Sequence, residues 1–395
     1  MTILTRYILS EFLKVFLIAL AGMSVLMLIV GLAQEAIRQG LGPQPILRLI
    51  PYAVPNALRF AVPGTMLFAA CSLFGRMSAN NEVVALKSLG ISPLRIITPA
   101  LTLAFLISLV AVWLNDVAVS WGRIGMERVV LHSVEQIIYG MLRSQRSYST
   151  RRFSVNVKDV QDRTLLRPMI AFHADGDQPP IMLTADQAEL RLNVEQGILS
   201  ILLTDGEVTV GDQLSMVFPH TIEREIPLRE ASRRGSVATS PSNYPMWSLA
   251  PSIEEQQDRI EKLRRELALD ATSALVLGEL PMLSDPDWES RLEQLASAKE
   301  RLHRLQTEPW RRWANGFSCL FFVFVGAPLA IRMRNADIWT TFATVFLPIL
   351  LIYYPLLAYG VDRSKAGDVA PILVWMGNLF LGGLGLWLLR QTIRY

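Results

Sequence analysis

Three sets of side chains in this 395-residue chain have types and spacing that could carry chemistry. The first is a carboxylate, Glu82, inside "SANNEVVALKSLGISPLRI", Ser78 to Ile96. It follows Asn80 and Asn81 and precedes Val83, Leu86 and Gly90. A carboxylate presented on a short apolar helix suits a charged contact with another protein. The second set is Arg38, Arg48 and Arg59, whose planar guanidinium groups suit bidentate contact with phosphate. The third is Cys71 and Cys319 with His132, His173, His220 and His303. The histidines are scattered without metal-ligand spacing, and both cysteines lie in apolar runs, so neither a metal site nor a disulfide framework is expected. There is no G-x-x-x-x-G-K-[ST] loop, G-x-S-x-G elbow or H-E-x-x-H. No catalytic residue, bound cofactor or metal is therefore assigned. ATP, if used, must sit on another subunit.

The elements that position these residues are set by an uneven charge distribution. The chain is 51% hydrophobic and only 18% charged, and the net charge is +3. A soluble protein carries about 25% charge. The small net charge gives no case for nucleic acid. Six stretches approach the roughly 20 apolar residues a spanning helix needs: 15–34, 60–75, 96–115, 313–331, 338–361 and 369–389. The first is not a cleavable leader, because its apolar run continues to Val30, past Ala19-Leu20-Ala21. Arg6, Lys14, Arg76, Lys87, Arg95, Arg332, Arg334, Arg390 and Arg394 fall on one side. That bias predicts both termini in the cytoplasm. The long segment between spans three and four then lies outside.

That segment starts helically over Trp121–Arg146, with Val130, Val134, Ile137 and Met141 in phase. Alternation follows at Phe153, Val155, Val157 and Val160, and at Ala188, Leu190, Leu192 and Val194. Leu199, Ile201 and Leu203 lead to Asp205-Gly206, which reads as a turn. Val208 and Val210, Leu214 to Phe218, and Ile222, Ile226 and Leu228 extend the series. Many short strands predict an antiparallel sandwich or open barrel with one apolar face and an interior groove. Ala231–Pro251 reads as a linker. Two helices follow, with stripes at Ile260, Leu263 and Leu267 and at Leu292, Leu295, Leu302 and Leu305; Ser284–Asp287 caps the second. They are either a solvated hairpin or a docking arm. Arg311-Arg312 reads as an interfacial anchor for span four.

On its own terms the Glu82 stretch is a capped helix. Asn80 is an N-cap residue, Glu82 falls in the first turn where a carboxylate favours the helix dipole, and Gly90 suits a left-handed terminus. Pro93 prevents continuation. Val83, Leu86 and Leu89 form one apolar side, widened by Val84 and Ile91. Arg59 has two readings, snorkelling to headgroups or contact with a lipid phosphate. Gly382, Gly383 and Gly385 in the last span permit close helix packing, and Pro348 and Pro355 should kink span five.

The run from Gly75 to Ser92 resembles the segment between spans two and three of the lipopolysaccharide-export permeases, the LptF/LptG type. "TRYILSEFLKVF" (5–16), "FVGAPLAIRMR" (324–334), "YYPLLAYG" (353–360) and "WMGNLFLGGLGLWLL" (375–389) resemble other parts of that family. The departures are the long helical segment 252–307 and Asn315-Gly316, where relatives often have proline. The resemblance implies an α+β membrane protein: six transmembrane helices, with an external antiparallel β-jellyroll-like domain between helices 3 and 4. The divisions are 1–118 with a coupling helix at 78–91, 119–251 as the periplasmic domain, 252–310 as a helical hairpin and 311–395 as the last three spans. The implied partners are a cytoplasmic ATPase dimer, a sister permease, a periplasmic bridge protein and lipopolysaccharide. ATPase coupling would fall on Asn81, Glu82, Val83, Leu86 and Gly90, and substrate contacts on Arg38, Arg48 and Arg59. The implied location is the bacterial inner membrane. Two other classes stay open on sequence: another ATPase-coupled permease, which usually has four spans, and a membrane-anchored binding protein.

Overall fold

The computed structural model describes residues 3–39, 43–123, 125–126, 129, 139, 142–143, 146–149, 153–161, 164–172, 181–193, 198–210, 214–219, 221–227, 240–278, 286–333 and 336–394. Contacts divide the chain into two units. The first holds 1–27, 54–120 and 241–395, and the second 28–53 and 121–240.

Among the described residues, six helical segments are long and apolar enough to cross a membrane: Ile3–Ile37, Pro45–Ala79, Pro93–Arg123, Asp287–Arg332, Ile338–Ala366 and Pro371–Arg394. Five contain an expected apolar run whole, and the sixth begins two residues inside the run 369–389. They are built from α1 (Ile3–Gln39), α2 (Pro43–Ala79), α4 (Pro93–Val117), α6 (Pro286–Arg332), α7 (Ile338–Pro348) with α8 (Tyr354–Ala366), and α9 (Met376–Arg394). The short α3 (Glu82–Ser88) lies between the second and third spans.

The first unit's main core is a set of stripes at helical spacing. Ile8, Phe12 and Phe16 of α1 meet Ala69, Ala70, Leu73, Phe74 and Met77 of α2. Small residues let α4 and α6 approach closely: Ala100, Ala104, Ser108 and Ala111 recur every three or four residues and are buried. Gly316 lies against Val112, where an added Cβ would come within 2.9 Å of its backbone nitrogen. Ser108 Oγ accepts the Leu320 amide at 3.2 Å across this pair. The departure at Asn315-Gly316 thus serves packing. In α9, Gly385 packs on Phe324 and Gly382 on Phe321, but Gly383 faces open space. Span five does not simply kink. A π-turn, Ile349–Tyr353, separates Pro348 from Pro355, which absorbs the lost backbone bonds locally.

Helix α6 has 47 residues, with Pro309 and Pro328 inside it. At 1.5 Å per residue it runs about 70 Å. The second arm of the hairpin and span four are therefore one helix. The first arm is α5 (Met246–Leu277). Ile260 and Leu267 are buried on α5, and Ala298 and Leu305 on α6. Gln256 Nε2 donates to Ala298 O at 3.0 Å between the arms. Leu292 is exposed rather than part of the packed stripe.

In the second unit, nine described strands form one sheet in which every pairing is antiparallel. They are β1 (Ser147–Ser149), β2 (Phe153–Asn156), β3 (Asp159–Gln161), β4 (Thr164–Leu166), β5 (Met169–Phe172), β6 (Ile181–Asn193), β7 (Ile198–Val210), β8 (Leu214–Phe218) and β9 (Ile222–Pro227). Asp205-Gly206 is not a turn. It lies inside β7, where Asp205 takes φ 50°. There β7 changes neighbours, from β9 (198–203) to β8 (206–210), while β6 pairs along both halves. Before Asp205 the inward residues are Ile201 and Leu203, and after it Val208. The left-handed residue thus resets the two-residue phase. Val155, Ile170, Leu183, Ala188, Ile201 and Leu203 are buried against one another, so the described apolar face is filled by its own side chains. Val130, Val134, Ile137, Met141, Val194, Leu228, residues 231–239, Ser284 and Asp285 lie outside the described residues.

Candidate functional site

The segment joining the second and third spans folds largely by local rules. Helix α2 stops as the Asn80 amide bonds Arg76 O and the Asn81 amide bonds Ser78 O. Asn81, not Asn80, occupies the cap position of α3, at φ 59°, and makes no side-chain capping bond. Asparagine is among the few residues that tolerate this left-handed backbone. The other end is a Schellman motif. The Gly90 amide bonds Lys87 O at 2.9 Å, and the Ile91 amide bonds Leu86 O at 3.1 Å. Gly90 has φ 79°, and Leu86 and Ile91 both pack on the core below, the apolar contact that accompanies this motif. Pro93 then starts α4 at its first helical position.

The apolar residues of α3 divide by side. Val83 is buried in the same core as Ile331 and Leu389. Leu89 and Val84 point outward, at 76% and 48% exposure. The expected single stripe of Val83, Leu86 and Leu89 is therefore split, since only the first two face the bundle. Glu82 is half-buried, and Tyr7 Oη donates to its Oε2 at 3.5 Å. Arg76 also lies within electrostatic reach of Glu82 and donates to Glu11 Oε1 at 2.8 Å. Lys14 lies 3.6 Å from the other Glu11 oxygen. Tyr7, Glu11 and Arg76 were not singled out as site residues from the sequence. Tyr7, Glu11 and Lys14 recur three or four residues apart, so α1 presents them on one face.

Helix α3 rests on the ends of α2, α6 and α9. Ser78 Oγ donates to Ile331 O at 2.6 Å. A cavity of about 340 Å³ opens beside this contact, lined by Val83, Val84, Lys87, Ile331, Arg332 and Gln391 among others. Lys87 and Arg332 each lie in the last turn of their helix, where cations offset the dipole.

The other predicted residues lie on elements other than α3. Arg59 is half-buried on α2, with its guanidinium carbon 4.6 Å from the Phe60 ring centre. Arg48 is exposed on α2, and Arg38 lies on α1. Both belong to the second unit, and Arg59 to the first. Cys71 and Cys319 are buried free thiols. Among the described residues no cluster of His, Cys, Asp or Glu is placed to hold a metal.

One correction concerns Arg311-Arg312. Only Arg311 is partly exposed. Arg312 is 1% exposed and paired with Asp116 at 3.0 Å. Glu308, itself 0% exposed, binds Arg311 at 2.6 Å. The Glu308-to-Arg312 spacing of four residues was the available sequence signal; Asp116, distant in sequence, was not.

The sequence model of the lipopolysaccharide export system permease LptF/LptG family matches residues 6–391. The chain belongs to that family. No individual curated protein matches it. Six spans, an antiparallel sheet domain within the chain and the family's permease role make this a multi-pass membrane transporter subunit.

Proposed function

We propose that this LptF/LptG-family permease is one subunit of an ATP-driven exporter in the bacterial inner membrane. It takes lipopolysaccharide from the outer leaflet and passes it to a periplasmic bridge protein. ATP is hydrolysed on a separate cytoplasmic ATPase dimer, which docks on α3. Both termini and α3 are then cytoplasmic, and the sheet domain is periplasmic. The observation that carries this reading is α3 itself. It is fixed at its C-terminal end by the Schellman motif, buried on one side by Val83, and presents Glu82, Val84 and Leu89 for docking. Its buried Val83 shares a core with Ile331 and Leu389 at the ends of α6 and α9. Six spans also favour this class over permeases with four.

The sister permease completes the transport path. The most apolar stretches of the first and fifth spans are largely exposed, unlike those of the second and fourth. They are the faces available to a second permease and to lipid. Arg38, Arg48 and Arg59 are assigned as contacts for the lipid phosphates at the outer boundary, and the sheet domain as the acceptor of the acyl chains, with a jellyroll-like groove.

Glu82→Lys tests the reading. It places a cation beside Arg76 and removes the docking carboxylate. The variant should insert and fold normally, and lipopolysaccharide transport by the reconstituted complex should be lost. Full transport with the ATPase still bound would reject α3 as the input. An ATPase partner indifferent to lipopolysaccharide would reject the cargo.

A further inference from the structure

The first unit contains a second fastening, near the middle of α6, where the apolar, membrane-spanning half of that helix begins. Arg312 Nη2 donates to Tyr244 O at 2.5 Å and to Ser242 O at 3.4 Å, and Nη1 donates to Asp116 Oδ1 at 3.0 Å. The same Asp116 oxygen accepts the Met246 amide at 2.7 Å. Ser242 Oγ donates to Glu308 Oε1 at 2.8 Å, and Arg301 donates to Tyr244 Oη at 3.1 Å. Arg311 closes the cluster on the other Glu308 oxygen. Four side chains, three of them on α6, therefore hold five atoms of the short segment 242–246.

The position of this segment gives the clasp its meaning. The chain leaves the first unit after Ser120, four residues beyond Asp116, and returns at Pro241. Asp116 and 242–246 thus stand at the two crossings that bound residues 121–240, the segment that holds the sheet. Both are bound to one buried guanidinium. Trp310 and Trp313, each about two-fifths exposed beside it, mark the level of a membrane interface. From Arg312 to Ile331 is 19 residues, or about 28 Å of helix, close to the roughly 30 Å hydrocarbon thickness. At that other end Ile331 lies under α3, bonded to Ser78.

We propose that α6 is the rod that carries the ATP-driven movement of α3 across the membrane, and that Arg312 is the positioning residue that delivers it to both chain crossings. The inference rests on the exporter reading above. It assigns a role to a residue that touches neither lipid nor ATPase. It also gives the clasp its chemistry, because a buried network with several simultaneous partners holds one register or none.

The test compares wild type with Ser242→Ala, Asp116→Asn and Arg312→Met in the full reconstituted complex. Three quantities are read: hydrogen exchange at 242–246, ATP hydrolysis, and lipopolysaccharide moved per ATP. Exchange at the Met246 amide should rise by about tenfold as the clasp loosens. ATP hydrolysis should stay within about twofold while lipid moved per ATP falls by about tenfold in Arg312→Met. Asp116→Asn and Ser242→Ala should fall in between, in the order of their exchange rates. If Arg312→Met does not assemble, these two milder variants carry the comparison. Faster exchange with unchanged lipid per ATP would overturn the proposal, and so would hydrolysis and transport falling together. A wild-type complex that hydrolyses ATP but moves no lipopolysaccharide would instead refute the cargo, and the exchange and hydrolysis readings would still judge the clasp.

Discussion

The two ends of the membrane-spanning half of α6 are fastened in opposite ways. At the α3 end, Val83, Ile331 and Leu389 share an apolar core, and one hydroxyl of Ser78 reaches a backbone carbonyl. At the other end, buried Glu308 and Arg312 form an ion cluster with the partly exposed Arg311 and Asp116, with hydrogen bonds to 242–246. Apolar contact is non-directional, so surfaces can shift by a fraction of an ångström at small cost. A charged hydrogen-bond network has no such tolerance, since a half-broken network leaves charges without partners. The contrast suits an input that must accept movement and an output that must keep its register.

Breaking the polar end should therefore cost the most. Arg312→Met removes compensation from the buried Glu308 and from Asp116, whose side chain is 29% exposed. Removing one member of a fully buried pair costs about 3–5 kcal/mol; Glu308 keeps Arg311 and Asp116 is partly in water, so the loss should fall at the low end, about 3 kcal/mol, and unfolding of the purified permease in detergent measures it. A loss below about 1 kcal/mol would put the cluster in the class of exposed pairs and erase the contrast.

The apolar end should respond more gently and in two distinct ways. Val83→Ala removes two buried carbons and should cost about 2 kcal/mol from transfer and cavity terms together. Leu89→Ala removes an exposed side chain and should change stability by less than about 0.5 kcal/mol, yet weaken binding of the ATPase. Measuring both variants for stability and for ATPase affinity separates the face that packs from the face that docks. Equal effects on both quantities would mean that α3 has no such division.

These regions were also unequally legible in the sequence. The six spans could be read because membrane length imposes long apolar runs, and α3 because its terminators, Gly90 and Pro93, act within a few residues. The division of its apolar face was not legible, since only the ends of α6 and α9 decide that Val83 is covered and Leu89 is not. Asp205-Gly206 has the composition of a turn, and the pairing of β6 with β7 on both sides of Asp205 overrode it. Arg312 was misread for a related reason. Beside Trp310 and Trp313 an arginine suits a membrane interface, and its true partners lie 196 and 68 residues away. Local chemistry was readable, whereas long-range polar pairing was not.

The smallest effect concerns the backbone that aims α3. Gly90 has φ 79°, and nothing lies within 4 Å of where its Cβ would be. Gly90→Ala therefore meets no steric clash with a neighbour and isolates the cost of the left-handed conformation, about 1 kcal/mol. Gly90→Asn should recover much of it, because asparagine visits that region, as Asn81 does at the other end of the helix. If the aim of α3 matters beyond stability, Gly90→Ala will lower ATP hydrolysis at saturating ATPase, and Gly90→Asn will restore it. An alanine variant with full hydrolysis would show that the apolar seat of Val83 and Leu86 fixes the helix without help from its terminus. The tolerance assigned to this end of α6 would then extend to the backbone that leads into it.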